Sequence, residues 1–112
     1  MKGQALKGHL DLLVLAVLSD GPKHGYAVIE ELKRRSNQAF DLPEGTVYPV
    51  LHRMQKAGLL DSHWSVVQGR RRRTYELTTR GRSALGEQRR GWESFSSAVT
   101  NVLGGVPWPA TS

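Results

Sequence analysis

Four arginines stand in a row at Arg70, Arg71, Arg72 and Arg73. Adjacent like charges repel one another, and packing gives no reason to gather them. Neutralising the phosphates of a nucleic acid does. A second group lies upstream: Tyr48, His52, Arg53 and Lys56 recur at helical spacing, with Gly45, Thr46 and Pro49 before or among them. A helix that enters a major groove needs one face packed on its own domain and one face free for base edges and phosphates. Arg53 and Lys56 suit guanine edges or phosphates. Tyr48 and His52 can donate to phosphate or pack on thymine methyls, and the choice for His52 stays open. Either group alone is compatible with a solvated surface, but a basic run following an amphipathic helix favours DNA.

Other chemistries lack their residues. The chain has no cysteine, so disulfides, thiolate metal sites and cysteine nucleophiles are excluded. His9, His24, His52 and His63 show no metal-ligand spacing, and no G-x-S-x-G, phosphate loop or dinucleotide fingerprint occurs. No metal, cofactor or enzyme activity is therefore expected. The side chains His24-Gly25-Tyr26 read as the shaping of a helix start. Sixteen Lys and Arg against ten Asp and Glu give a net charge of +6. Such a cation is drawn to DNA, RNA or an anionic membrane surface. The apolar stretch from Leu12 to Leu18 is too short to span a bilayer, and no secretory leader is visible. With no cysteine in use, a cytoplasmic location and no membrane partner are expected.

These groups must be held by a small scaffold. A chain of 112 residues has room for one core. Leu6, Leu10, Leu13, Val14, Val17 and Leu18 make one face of a first helix, broken at Asp20-Gly21-Pro22. Gly25, Val28, Ile29 and Leu32 mark a second helix over about residues 24–36. Pro43 opens a third over about residues 43–57, with Val47, Val50, Leu51 and Met54 facing inward and Gly58 ending it. The period then falls to two. Leu60, Trp64 and Val66 form one strand, Gln68-Gly69-Arg70-Arg71 a turn, and Arg73, Tyr75 and Leu77 the inward face of the return strand. Arg73 is expected to lay its stem along that face while the other arginines project into solvent. Thr79 is a candidate N-cap for a last helix.

The fold class is thus mostly α with a β-hairpin: a winged helix-turn-helix over residues 1–78, a long C-terminal dimerisation helix over 79–104, and a flexible tail over 105–112. Leu85, Trp92 and Val99 repeat every seven residues in the last helix, with Phe95 and Val102 on the adjoining line. Left in water, this stripe would be a large apolar patch. Pairing with a second copy covers it, and Leu6 and Leu10 of the first helix are expected to join that interface. Two-fold pairing would set two recognition helices about 34 Å apart, in successive major grooves.

Pro49 inside a helix loses one hydrogen bond, whose acceptor would be the carbonyl of Gly45. Together the two residues are expected to flatten one side of the helix for close approach to the DNA backbone.

The stretches LKGHLDLLVLAVLSDGPKHGY (6–26), HGYAVIEEL (24–32), PEGTVYPVLHRMQKAGLL (43–60) and GRRRRTYELTTRGRSAL (69–85) resemble the PadR family of bacterial transcriptional regulators, in its short subgroup with a single C-terminal helix. The resemblance implies a homodimeric winged helix-turn-helix repressor of its own or a neighbouring operon, reading a near-palindromic operator. Carried over by position, Gly45, Thr46, Tyr48 and Pro49 fall in the recognition-helix motif. Tyr26 falls in the helix-two motif whose start approaches phosphates, and Arg70, Arg71 and Arg72 fall in the wing, about residues 68–73. The resemblance also implies a possible site for a small aromatic or drug-like ligand at the dimer interface, beside Trp92 and Phe95. Ala27 and Thr74 depart from the pattern, which usually has an acidic and an aromatic residue there.

Overall fold

The computed structural model describes residue 6 and residues 8–107. The expected end of the tail, including Trp108, lies outside them. Among the described residues the order is α1 (Leu10–Leu18), β1 (Lys23–His24), α2 (Gly25–Arg35), α3 (Glu44–Lys56), β2 (Leu60–Val67), β3 (Arg70–Leu77) and α4 (Thr79–Leu103).

Three amphipathic helices close on a common centre. Val14, Leu15 and Leu18 of α1 meet Val28 and Leu32 of α2 and Val47, Leu51 and Met54 of α3, all buried. Leu60, Tyr75 and Leu77 lay the base of the hairpin on them, which is how a two-stranded ribbon gains the apolar support it lacks alone. Truncating a fully enclosed member such as Leu51 to Ala would cost about 2–5 kcal/mol. Leu6 and Leu10 also lie in this core, at 8% and 6% exposure. That corrects their expected place in a dimer interface: the protomer itself buries them, Leu10 at the first position of α1 and Leu6 ahead of that helix.

The sheet has three strands in the order β1-β3-β2, all antiparallel. The short β1 has no counterpart in the sequence pattern. It pairs His24 with Thr74 and so ties the start of α2 to the wing. His24 is the N-cap of α2, its Nδ1 accepting the Ala27 N–H at 3.2 Å. Pro43 stands at the N-cap of α3, one residue ahead of its expected place. At the other end, Gly58 N–H donates to Gln55 and Leu59 N–H to Met54, which satisfies two terminal carbonyls.

The hairpin turn is tighter than its arginine-rich sequence suggests. Only Gln68 and Gly69 form it, both at positive φ, the backbone that matches strand twist in a two-residue loop. This shortening moves the register. Trp64 stands opposite Arg73 and Ser62 opposite Tyr75, whereas a four-residue turn would have set Trp64 against Tyr75 in the core.

The N-cap of α4 is Thr78, not Thr79. Its hydroxyl accepts the Gly81 N–H at 3.0 Å and donates to the Gly58 carbonyl at 2.7 Å. A Cβ on Gly81 would lie 2.1 Å from the Leu59 carbonyl oxygen, so only glycine lets α4 seat here. Its first turns rest on α1 through the half-buried Leu85. Beyond that the 25-residue helix, about 37 Å long, runs clear of the core.

Candidate nucleic-acid interface

Val47, Leu51 and Met54 hold α3 on the core, which leaves Gly45, Pro49, His52 and Lys56 exposed along its outer side. Thr46 is half-buried near the start. Tyr48 is half-buried as well: its ring lies over Gly25, so close that a Cβ there would stand 2.6 Å from a ring carbon. Gly25 thereby gives Tyr48 its seat against the first turn of α2. The Tyr48 and His52 rings are 6.4 Å apart. Burial holds the Tyr48 phenol above its ordinary pKa. Tyr26 projects from the first turn of α2, 46% exposed.

The wing faces the same space. Its pleat divides the arginines: Arg71 and Arg73 share a face with Tyr75, and Arg70 and Arg72 point to the other. Arg73 follows the core side of the strand as expected and is half-buried; Arg71 shares that side but stays exposed as expected, whereas Arg72, expected in solvent, is half-buried. Both guanidiniums lie over the Trp64 indole, at 4.8 Å and 5.1 Å from its centre. A groove of about 330 Å³ opens between wing and helices, bordered by His24, Tyr48, His52, Trp64, Arg71 and Arg72. Burial, and then the positive charge of Arg72, hold His24 below its ordinary pKa, which keeps its capping nitrogen free to accept.

Arg53 departs from the group. Its guanidinium grips Asp11 of α1 at 2.6 and 3.1 Å and borders a cleft with Trp92 and Phe95. The helical spacing that joined it to His52 overlooked a carboxylate on a neighbouring helix. Trp64 and His24, which the spacing argument does not include, also border the groove. A two-residue turn centred on Gln68-Gly69 would have revealed the pairing of Trp64 with Arg73.

On α4, Trp92, Phe95, Val99 and Val102 stand 43%, 58%, 37% and 79% exposed, a stripe that the described residues of the protomer cover only in part. Trp92 meets the His9 ring edge-on at 5.0 Å and lies 6.3 Å from Phe95. Between α1 and α4 an open apolar cavity of about 460 Å³ is bordered by Leu13, Ala16, Phe40, Leu85, His9 and Trp92. Among the described residues no helix is long and apolar enough to cross a membrane, and no cluster of three metal-ligating side chains occurs.

Residues 14–87 match the model of the transcriptional regulator PadR-like family. The chain is similar to the transcriptional regulator Rv3488 of Mycobacterium tuberculosis, 42% identical over 84% of this chain and 82% of that protein. The fold is similar to a PadR-like transcriptional regulator from Bacillus cereus at a TM-score of 0.82 and 32% identity, covering 92% of this chain and 99% of the other. It is also similar to a transcriptional regulator from Clostridium thermocellum at a TM-score of 0.81 and 21% identity, covering 88% and 97%.

Proposed function

The chain belongs to the PadR-like family of transcriptional regulators, DNA-binding proteins rather than enzymes, and from that premise we propose that it is a homodimeric repressor of its own or a neighbouring operon. In this reading residues 1–78 bind DNA and residues 79–104 pair two subunits on a near-palindromic operator in the cytoplasm. The outer side of α3, with Gly45, Thr46, Tyr48, Pro49, His52 and Lys56, enters the major groove. Tyr26 and the wing arginines Arg70, Arg71 and Arg72 bond phosphates. Arg53 contributes only after releasing its two-bond grip on Asp11.

One observation carries the reading: the protomer bears an outward cationic groove and, separately, an apolar stripe that its described residues cover only in part. A second copy laid on Trp92, Phe95, Val99 and Val102 covers the stripe and doubles the groove. The cavity beside Trp92 suits a small aromatic ligand, whose binding there would alter the angle between the two α4 helices and release the operator.

The test is a titration of labelled duplex from upstream of the chain's own gene, beside a scrambled duplex, at two salt concentrations. Saturation at two subunits per site, well above the scrambled control, supports the repressor. Equal and steeply salt-dependent binding to both duplexes overturns it in favour of a non-specific basic binder.

A further inference from the structure

The core does not account for Trp64. It is a large apolar side chain, 56% exposed, on a hairpin that already has its apolar base in Leu60, Tyr75 and Leu77. Its surroundings are charged: the guanidiniums of Arg71 and Arg73 lie 4.8 and 5.1 Å from its ring centre. The register accounts for the arrangement. Arg73 is directly opposite Trp64 and Arg71 is its diagonal neighbour on the same face, both within reach of a large ring.

We infer that Trp64 is a positioning residue for DNA binding, a platform that holds Arg71 and Arg73 over the groove between the wing and α3. Two like charges two residues apart on one strand face would otherwise swing away from each other into solvent. The negative face of the indole attracts both, within the distance at which such attractions act. Ordering the two side chains before DNA arrives removes part of the entropy that binding must otherwise supply. The inference rests on the reading of the wing as a phosphate-binding element, and it adds a role for an uncharged residue and for Arg73.

The experiment compares duplex affinity and thermal stability for the wild-type chain, Trp64→Leu, Trp64→Phe and the double variant Arg71→Gln/Arg73→Gln. Trp64→Leu should weaken binding about 3- to 30-fold, the size expected when an aromatic face no longer holds two exposed guanidiniums. Its melting temperature should stay near wild type, since Trp64 lies outside the core. Trp64→Phe keeps an aromatic face and should restore most of the affinity. Binding unchanged in Trp64→Leu while the arginine variant binds weakly overturns the inference and leaves the wing reading standing. Binding unchanged in the arginine variant overturns the inference and takes Arg71 out of the wing reading, which then rests on Arg70 and Arg72. If Trp64→Leu melts far below wild type, the failure of Trp64→Phe to restore affinity at matched folded concentration overturns the platform role.

Discussion

Gly45 lies in the first turn of α3, exposed, and a Cβ built on it meets nothing within 4 Å. The fold therefore gives no steric reason for glycine, yet glycine in a helix costs about 0.5–1 kcal/mol relative to alanine. Gly45→Ala should recover that amount in the free protein, which for a domain of this size raises the melting temperature by about 2–4 °C. DNA binding should move the other way. If the backbone at Gly45 approaches a phosphate closely, one added methyl overpacks the junction at about 1–3 kcal/mol per protomer. At about 1.4 kcal/mol per tenfold, a dimer with two such junctions should lose at least about 30-fold in affinity. Thermal melting and duplex titration of the same sample read both quantities. A lowered melting temperature would show that glycine serves the fold after all. A raised one with undiminished affinity would refute close approach at this residue.

Neutralising Arg70 and Arg71 together should weaken binding to every duplex and lower the salt slope by about 0.9 for each phosphate no longer neutralised; an unchanged slope removes these arginines from the interface. Val99→Glu sets a charge in the apolar stripe of α4 and should yield monomers in analytical ultracentrifugation, and a persisting dimer would place the subunit interface elsewhere. Acid stability should depend on two carboxylates. Asp20, bonded by Lys23 and Arg35, and Glu31, bonded by Arg34 and Arg35, are both held down at about 2. Because the folded values are depressed, their stabilising effect is complete above the ordinary values of 3.8 and 4.5 and is lost as the pH falls toward 2. An Asp20→Asn/Glu31→Gln variant should therefore show a flatter decline in melting temperature across that window at low salt; parallel curves would count against these pairs.

Much of this was legible in residue spacing. The inward faces of α1, α2 and α3 follow from periodic apolar residues, and His24 as a helix start follows from its place before glycine. What escaped depended on partners distant in sequence. The two residues of β1 have no pattern of their own and form a strand only because β3 offers them an edge. Arg53 belongs to the outer side of α3 by angle, but Asp11 lies 42 positions away in the chain. Leu6 and Leu10 share a helical face with residues that could serve either a core or an interface, and only the docking of the helices decides between them.

The glycines separate scaffold from function more sharply than the charged residues do. Gly81 is required by a backbone carbonyl that cannot move, and Gly25 by the Tyr48 ring seated on it. Both belong to the fold, since α4 docks on Leu59 through one and the start of α2 meets α3 through the other. Gly45 has open space where its side chain would be. It sits one helical turn before Pro49, which has no N–H to offer the Gly45 carbonyl. Two residues that each disfavour a helix thus stand together on its exposed side, with nothing within 4 Å of the space a Gly45 side chain would fill. A surface under no other constraint would carry better helix formers there. Their place there is accounted for if this side meets DNA, with the bare backbone at Gly45 and the ring of Pro49 set against the sugar-phosphate edge while His52 and Lys56 reach past them.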